Sequence, residues 1–361
     1  MNNRVQKLQV YIKENGLDAM IIGSEANRMY LSGFTGSNAM LLITLNETPV
    51  IVTDFRYLEQ VANQCPDFKC VDQKQKGLLG AVLAEAEAMN LKKIGFESEH
   101  VSFSTYEELQ KANSITWVPT KGVIERFRQI KEEAELEKLA KAESIGDLAF
   151  RAIVPFIEAR WKDGLTENEV ALEIERVMRQ NGATATSFST IVASGAKSSL
   201  PHAVPGDEPL KKGDFVVMDF GCVYEGYCSD MTRTVVIGEA SEKHKEIYET
   251  VLEAQKRALE GAKAGLKGKE VDAMARDYIK DKGYGDYFGH GLGHSVGIEI
   301  HENPRFSMAE EQVIEEGMVI TVEPGIYLPG FGGVRIEDMV VVTKDGIKNF
   351  THSPKELIII N

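Results

Sequence analysis

GDFVVMDFGCVYEGYCSDMTRTVVIG, residues 213–238, reads as two apolar strands folded back on each other, each arm carrying one aspartate. With the turn centred on Tyr224-Glu225, Asp219 stands directly opposite Asp230 on one face of the hairpin. Directly opposed residues have Cβ atoms roughly 4.5–5.5 Å apart. Two bare carboxylates at that spacing repel each other unless a cation lies between them. Apolar neighbours on both sides of Asp219 make a lone buried charge there costly. The plainer alternative is an aspartate that caps a turn or pairs with Arg233.

Further along the chain, three more candidate ligands sit in distinctive local phrases. GHGLGHSVG (289–297) holds His290 and His294 among four glycines, too many for a helix, so one histidine is read as a ligand and the other as a wall of the site. GMVITVEPGIYL (317–328) is an apolar strand that ends at Glu323 and is broken by Pro324-Gly325. In VRIEDMVVV (334–342), alternation puts Arg335, Glu337 and Met339 on one face. Asp219, Asp230, His294, Glu323 and Glu337 form an oxygen-rich set with one imidazole. Such a set suits two divalent cations sharing carboxylates, Mn²⁺, Co²⁺ or Fe²⁺ with Zn²⁺ tolerated, and metal-assisted hydrolysis.

Around these phrases the second half is read as α+β: antiparallel strand pairs lined by four long helices. The helices are expected at 130–151, 166–183, 241–265 and 271–283. Thr166 with Glu169 makes a capping box, and Gly182 sits where a C-terminal cap belongs. Glu and Lys four apart in the first of these helices predict a solvated face. The first half alternates strands (19–24, 39–44, 49–54, 93–97, 115–120) with helices, an α/β domain on a mixed sheet. The boundary is placed before the charged helix, giving domains 1–124 and 125–361. Neither G-x-G-x-x-G nor G-x-x-x-x-G-K-[ST] occurs in the first half, so nothing there argues for a nucleotide.

Composition narrows the partners. Lys and Arg number 41 against 55 Asp and Glu, a net charge of −14, which disfavours nucleic acid and anionic membrane. No apolar run approaches the ~20 residues of a membrane span. The opening stretch MNNRVQKLQVYIKENG reads as an amphipathic helix rather than a signal peptide. Cys65, Cys70, Cys222 and Cys228 lack zinc-site spacing and are read as reduced thiols of a cytoplasmic protein; a Cys222–Cys228 disulfide or metal clip is the outside reading.

The ordered set VVMDFG, SDMTRT, GHGLGHSVGIEIHE, EPGIYL and GVRIED closely resembles the pita-bread metallopeptidases of family M24. That family includes methionine aminopeptidase, aminopeptidase P and prolidase. The α/β first half resembles the N-terminal domain that prolidase and aminopeptidase P carry. RQIKEEAELEKLAKA (128–142) looks like the first helix of their catalytic domain. The resemblance implies all five ligands, with Asp230 and Glu337 bridging two metal ions, most often manganese or cobalt. It implies that His202, in SLPHAVPG, helps stabilise the tetrahedral intermediate and that His301 contacts the scissile region. His290 and Phe188 would line a proline pocket, and Arg335 and Tyr327 would contact or support the substrate. Glu323 doubles as the group that relays the water's proton. Peptides with proline in second position are the implied substrates, and a homodimer the implied assembly. The 361-residue length without a long insertion leans towards Xaa-Pro dipeptidase. Aminopeptidase P is the alternative. A creatinase-like hydrolase, or a pita-bread domain that only binds peptides or proteins, would lack part of the ligand set. NRMYLSGFTGSNA (27–39) resembles a loop that the N-terminal domain offers to an active site.

Overall fold

A computed structural model describes residues 3–361; Met1 and Asn2, read as the start of the first helix, lie outside the described residues. The chain divides into two compact units, Met1–Arg128 and Gln129–Asn361.

The first unit is built on a six-stranded mixed sheet, in the order Lys69–Asp72, Val50–Thr53, Ala39–Thr44, Ala19–Ile22, Lys93–Glu97, Thr116–Thr120. Ala39–Thr44 runs antiparallel to both its neighbours, while the outer pairs are parallel. Every strand expected from the sequence is present. Lys69–Asp72 is additional, as are the helices Glu25–Ser32 and Phe103–Gln110. Both extra helices open on a serine whose hydroxyl accepts a backbone N–H, Ser24 from Asn27 and Ser102 from Thr105. Half of the supposed 27–39 loop is therefore helix, closed by Gly33 in the left-handed conformation.

In the second unit, helices Glu133–Arg160 and Glu167–Gln180 pack on a four-stranded sheet, and helices Glu242–Gly261 and Gly268–Asp281 pack on a five-stranded one. The four-stranded sheet orders Ile358–Ile360, Met231–Ile237, Phe215–Phe220 and Ile191–Ser194; its C-terminal strand is parallel to its neighbour and the rest are antiparallel. The five-stranded sheet orders Glu302–Phe306, Gly293–Ser295, Val319–Val322, Asp338–Val342 and Ile347–Asn349. This is the pita-bread arrangement. The Thr166–Glu169 capping box forms as expected, with Thr166 Oγ1 accepting the Glu169 N–H.

The charged helix departs from its sequence reading. Glu135, Glu143 and Asp147 are buried, each with donors. Tyr227 Oη donates to Glu135, Thr351 Oγ1 to Glu143, and the N–H groups of His352 and Ser353 to Asp147. Solvation is confined to the face bearing Glu133, Glu137 and Lys141.

The hairpin that opened the sequence reading is shifted in register. Its two-residue loop is Glu225-Gly226, with φ of +47° and +83°. Tyr224 therefore pairs with Tyr227, and Asp219 with Thr232. Asp230 is the diagonal neighbour of Asp219 on the same face, not its opposite. Two left-handed residues in a two-residue loop match the twist of the flanking strands, which fixes the turn one residue later than Tyr224-Glu225. All four cysteines are free, so Cys222 and Cys228 form no disulfide. Burial pushes their thiols up to about 11 and about 12, respectively. Among the described residues no helix is long and apolar enough to cross a membrane.

Candidate metal centre and active site

The two sheets of the second unit bring the five candidate ligands to one cavity of about 550 Å³. Asp219 projects from strand Phe215–Phe220, and Asp230 from the residue just before strand Met231–Ile237. His294 lies in strand Gly293–Ser295, Glu323 follows strand Val319–Val322, and Glu337 sits in the break between Gly332–Arg335 and Asp338–Val342. That break divides the expected continuous strand 334–342 between two sheets, yet Arg335 and Glu337 both still face the cavity. Gly293 permits the close approach of strands that carries His294 in. A Cβ there would stand 1.9 Å from the Thr321 carbonyl oxygen.

His294 Nδ1 donates to the Ser295 carbonyl at 3.2 Å, which leaves the Nε2 lone pair facing the carboxylates. Nε2 lies 3.4 Å from Asp230 Oδ2 and 3.5 Å from Glu323 Oε1. Ligand atoms of Asp230, His294 and Glu337 all fall within 4.8 Å of one another. Two threonines that the sequence reading passed over hold this set. Thr232 Oγ1 donates to Glu337 Oε2 at 2.7 Å. Thr321 Oγ1 accepts the His294 N–H at 3.1 Å and donates to Glu323 Oε1 at 3.2 Å. Thr232 was findable, because it lies two residues beyond Asp230 on the same face of a strand. Glu143 was not. It is fully buried, accepts the Asp230 N–H at 3.3 Å, and burial raises its carboxyl to about 8.

These residues fit divalent cations on three grounds. Asp219 Oδ1 is buried without a hydrogen-bond partner, although its Oδ2 pairs with Arg335. Burial, then mutual repulsion, pushes the Asp230 and Glu337 carboxyls well above the usual carboxylate range. Burial also raises Glu323, against the pull of His294 and Arg335. The donor set is hard oxygen plus one imidazole, which suits such ions.

His202, His290, His301, Phe188 and Arg335 all line the cavity. The His301 and His294 rings are 4.4 Å apart between centroids at 67°. Tyr327 does not line it. Its hydroxyl lies behind the wall, accepting from Arg335 Nη1 at 2.8 Å and donating to His290 Nε2 at 2.9 Å. His290 Nδ1 then donates to the Gly291 carbonyl at 2.8 Å. This chain fixes a neutral His290, whose titration burial and the Arg335 charge lower to about 4. Asp219 is paired with Arg335 rather than Arg233, which instead meets Asp338 at 2.8 Å. The wall also holds Arg305, in strand Glu302–Phe306, whose side chain has no ion-pair partner among the described residues.

The sequence profile of metallopeptidase family M24 matches residues 137–344, and that of the creatinase/prolidase N-terminal domain matches residues 4–130. The chain is 43% identical over 363 residues to the Xaa-Pro dipeptidase of Pyrococcus horikoshii, covering 99% of each. It is similar in structure to the Xaa-Pro dipeptidase from Bacillus anthracis, with a TM-score of 0.94, 45% identity and 99% of each chain covered. It is also similar to the X-Pro aminopeptidase from Thermotoga maritima, with a TM-score of 0.91, 39% identity, and 99% of this chain and 100% of that one covered. All five clustered carboxylate and imidazole residues fall inside the span of the first profile, and the chain belongs to metallopeptidase family M24, with a creatinase/prolidase-type domain before its catalytic unit.

Proposed function

We propose that this protein is an Xaa-Pro dipeptidase, a dinuclear-metal exopeptidase that hydrolyses the bond before the proline of a dipeptide. The observation that carries the reading is one cavity with the buried ligand cluster and the unpaired guanidinium of Arg305 on its walls. A dipeptide places its C-terminal carboxylate one residue beyond the cut bond, and Arg305 is a cation free to receive it. Similarity to Xaa-Pro dipeptidases at 43% and 45% identity supports the same reading. Aminopeptidase P activity on longer peptides is the second reading, favoured by the likeness to the Thermotoga maritima enzyme.

Asp219, Asp230, His294, Glu323 and Glu337 would hold two divalent ions, Mn²⁺ first among Co²⁺, Fe²⁺ and Zn²⁺. When bound, such ions polarise a carbonyl and lower the pKa of water from about 15.7 towards about 7. Glu323 takes a proton from the attacking water and delivers it to the leaving nitrogen. That nitrogen carries no hydrogen of its own when proline follows the cut bond. His202 and His301 face the cavity as donors to the developing oxyanion. Phe188 and His290 bound the space for the proline ring. Tyr327 acts only through Arg335 and His290, which it orients. A reducing cytoplasm and a homodimer complete the reading, supported by four free thiols and by the family relationship.

Arg305→Met tests the carboxylate contact. Losing a charge-assisted hydrogen bond of about 1.5–3 kcal/mol corresponds to roughly 10–150-fold in kcat/KM for Ala-Pro. The wild type should prefer Ala-Pro to Ala-Pro-amide, and the variant should not. Equal use of both by the wild type would remove the dipeptidase reading.

A further inference from the structure

Glu167 is the first residue of helix Glu167–Gln180 and is fully buried. Its Oε1 accepts the Ser194 N–H at 2.7 Å and the Ser194 hydroxyl at 2.8 Å. Its Oε2 accepts Lys197 Nζ at 2.6 Å and the Gly206 N–H at 2.9 Å. Four donors nearly fill the acceptor capacity of one carboxylate. They come from both ends of the segment 194–206, and the Asn168 N–H adds a bond to the Gly206 carbonyl at 3.0 Å.

Between those ends, Pro201, His202, Ala203, Val204 and Pro205 stand on the cavity wall. The middle of the segment is held more lightly. Ser198 Oγ accepts the Gly333 N–H at 2.8 Å, and the Arg335 guanidinium reaches the Pro201 carbonyl only at 3.5 Å. His202 is exposed, and Val204 is 77% exposed. Leu200 is 57% exposed as well, and Ser198, 1% exposed, seats the first half of the loop against Gly332 and Gly333, so the exposed tip is positioned from its base. We infer that Glu167 is a positioning residue. Its carboxylate closes the 194–206 loop and so fixes where His202 stands over the metal centre. The inference rests on the proposed peptidase function for the role of His202, but the closure itself is a structural claim.

The test is a double-mutant cycle between Glu167→Gln and His202→Ala, read on Ala-Pro hydrolysis with Mn²⁺, together with amide exchange over 194–206. Glutamine keeps one acceptor oxygen but turns an NH₂ towards donors. Misplacement of a catalytic group by about 1 Å costs roughly 100-fold. Glu167→Gln should therefore lower kcat by roughly 10–100-fold with KM changed less than about threefold. Manganese content should stay near wild type, while the melting temperature should fall by several degrees because the buried carboxylate loses its charge against Lys197. In the His202→Ala background the same change should cost almost nothing further. Amides of residues 195–205 should exchange faster while those of the helix core do not. Additive losses in the cycle, or unchanged exchange across the loop, would overturn the inference. Should the wild type fail to cleave Ala-Pro, the functional reading falls and exchange alone decides the closure. Should Glu167→Gln fail to fold, Lys197→Met removes one of the four donors. It should then give a smaller loss that is again non-additive with His202→Ala, and additivity there overturns the inference equally.

Discussion

Asp219 has one carboxylate oxygen paired with Arg335 and the other buried without a partner, an arrangement that persists only if something else uses that oxygen. Asp230, Glu323 and Glu337 crowd the same space with raised carboxyls. Metal-free protein should therefore be strained by its own charge. At pH 8 without metal, Asp230→Asn should melt higher than wild type by roughly 2–4 °C, about 1 kcal/mol. With Mn²⁺ the order should reverse, because the variant loses a ligand; thermal melts with and without chelator check both signs. His290 gives a pH test away from the ligands. Its folded-state titration is lowered from the ordinary 6.5 to about 4, so the unfolded chain takes the proton first. The stability it contributes is complete above pH ~6.5 and is lost as pH falls towards about 4, roughly 2–4 kcal/mol in all. Urea midpoints across that range should show a shallower fall in His290→Gln than in wild type. The residues of the cluster were legible because each sits in a distinctive phrase beside glycine, proline or an apolar run. Glu143 and Glu167 were not, since a glutamate in a charged helix reads the same whether it meets water or buried donors.

Among the elements, long periodic helices and apolar strands were read to within a few residues, except that the charged helix expected to end at 151 runs on to Arg160. Short elements with buried polar groups were missed. Helix Glu25–Ser32 has eight residues and buries Asn27 and Arg28 beside Ala26, Tyr30 and Leu31, so its apolar period is too short and too mixed to read. Strand Lys69–Asp72 lies at a sheet edge with no buried residue, which removes the alternation a strand normally shows. The turn was placed one residue early, which moved the partner of Asp219 by two, because Glu225-Gly226 is a weak turn signal beside Asn-Gly or Asp-Gly. Gly226 carries the left-handed angle that an alanine adopts at a cost of about 1–2 kcal/mol. Gly226→Ala should therefore lower stability in chemical denaturation by about that amount. Manganese affinity should drop only slightly, since Asp219 and Asp230 are also held by their own sheet and by Glu143.

At the level of the whole molecule, the order of the phrases carried the family, and the topology brings those five ligands from five elements to one cavity. What that order left out is the clasp between the two sheets of the catalytic unit. Arg233, 1% exposed, leaves the four-stranded sheet to meet Asp338 of the five-stranded sheet at 2.8 Å, and the carbonyls of Glu337, Ser353 and Pro354 at 2.5, 2.8 and 3.0 Å. Removing one partner of such a buried pair costs about 3–5 kcal/mol. Arg233→Met should destabilise by that much and weaken manganese binding through Glu337, which titration calorimetry on the folded variant would show. The central claim is metal-dependent cleavage before proline in a dipeptide. Ala-Pro and Ala-Pro-Ala should be compared at equal concentration, with Mn²⁺ and after metal stripping. Alanine release mainly from Ala-Pro, abolished by stripping and restored by Mn²⁺, is the predicted result. Release mainly from Ala-Pro-Ala would contradict the dipeptidase assignment in favour of the aminopeptidase, and release from neither with metal present would contradict proline-specific hydrolysis altogether.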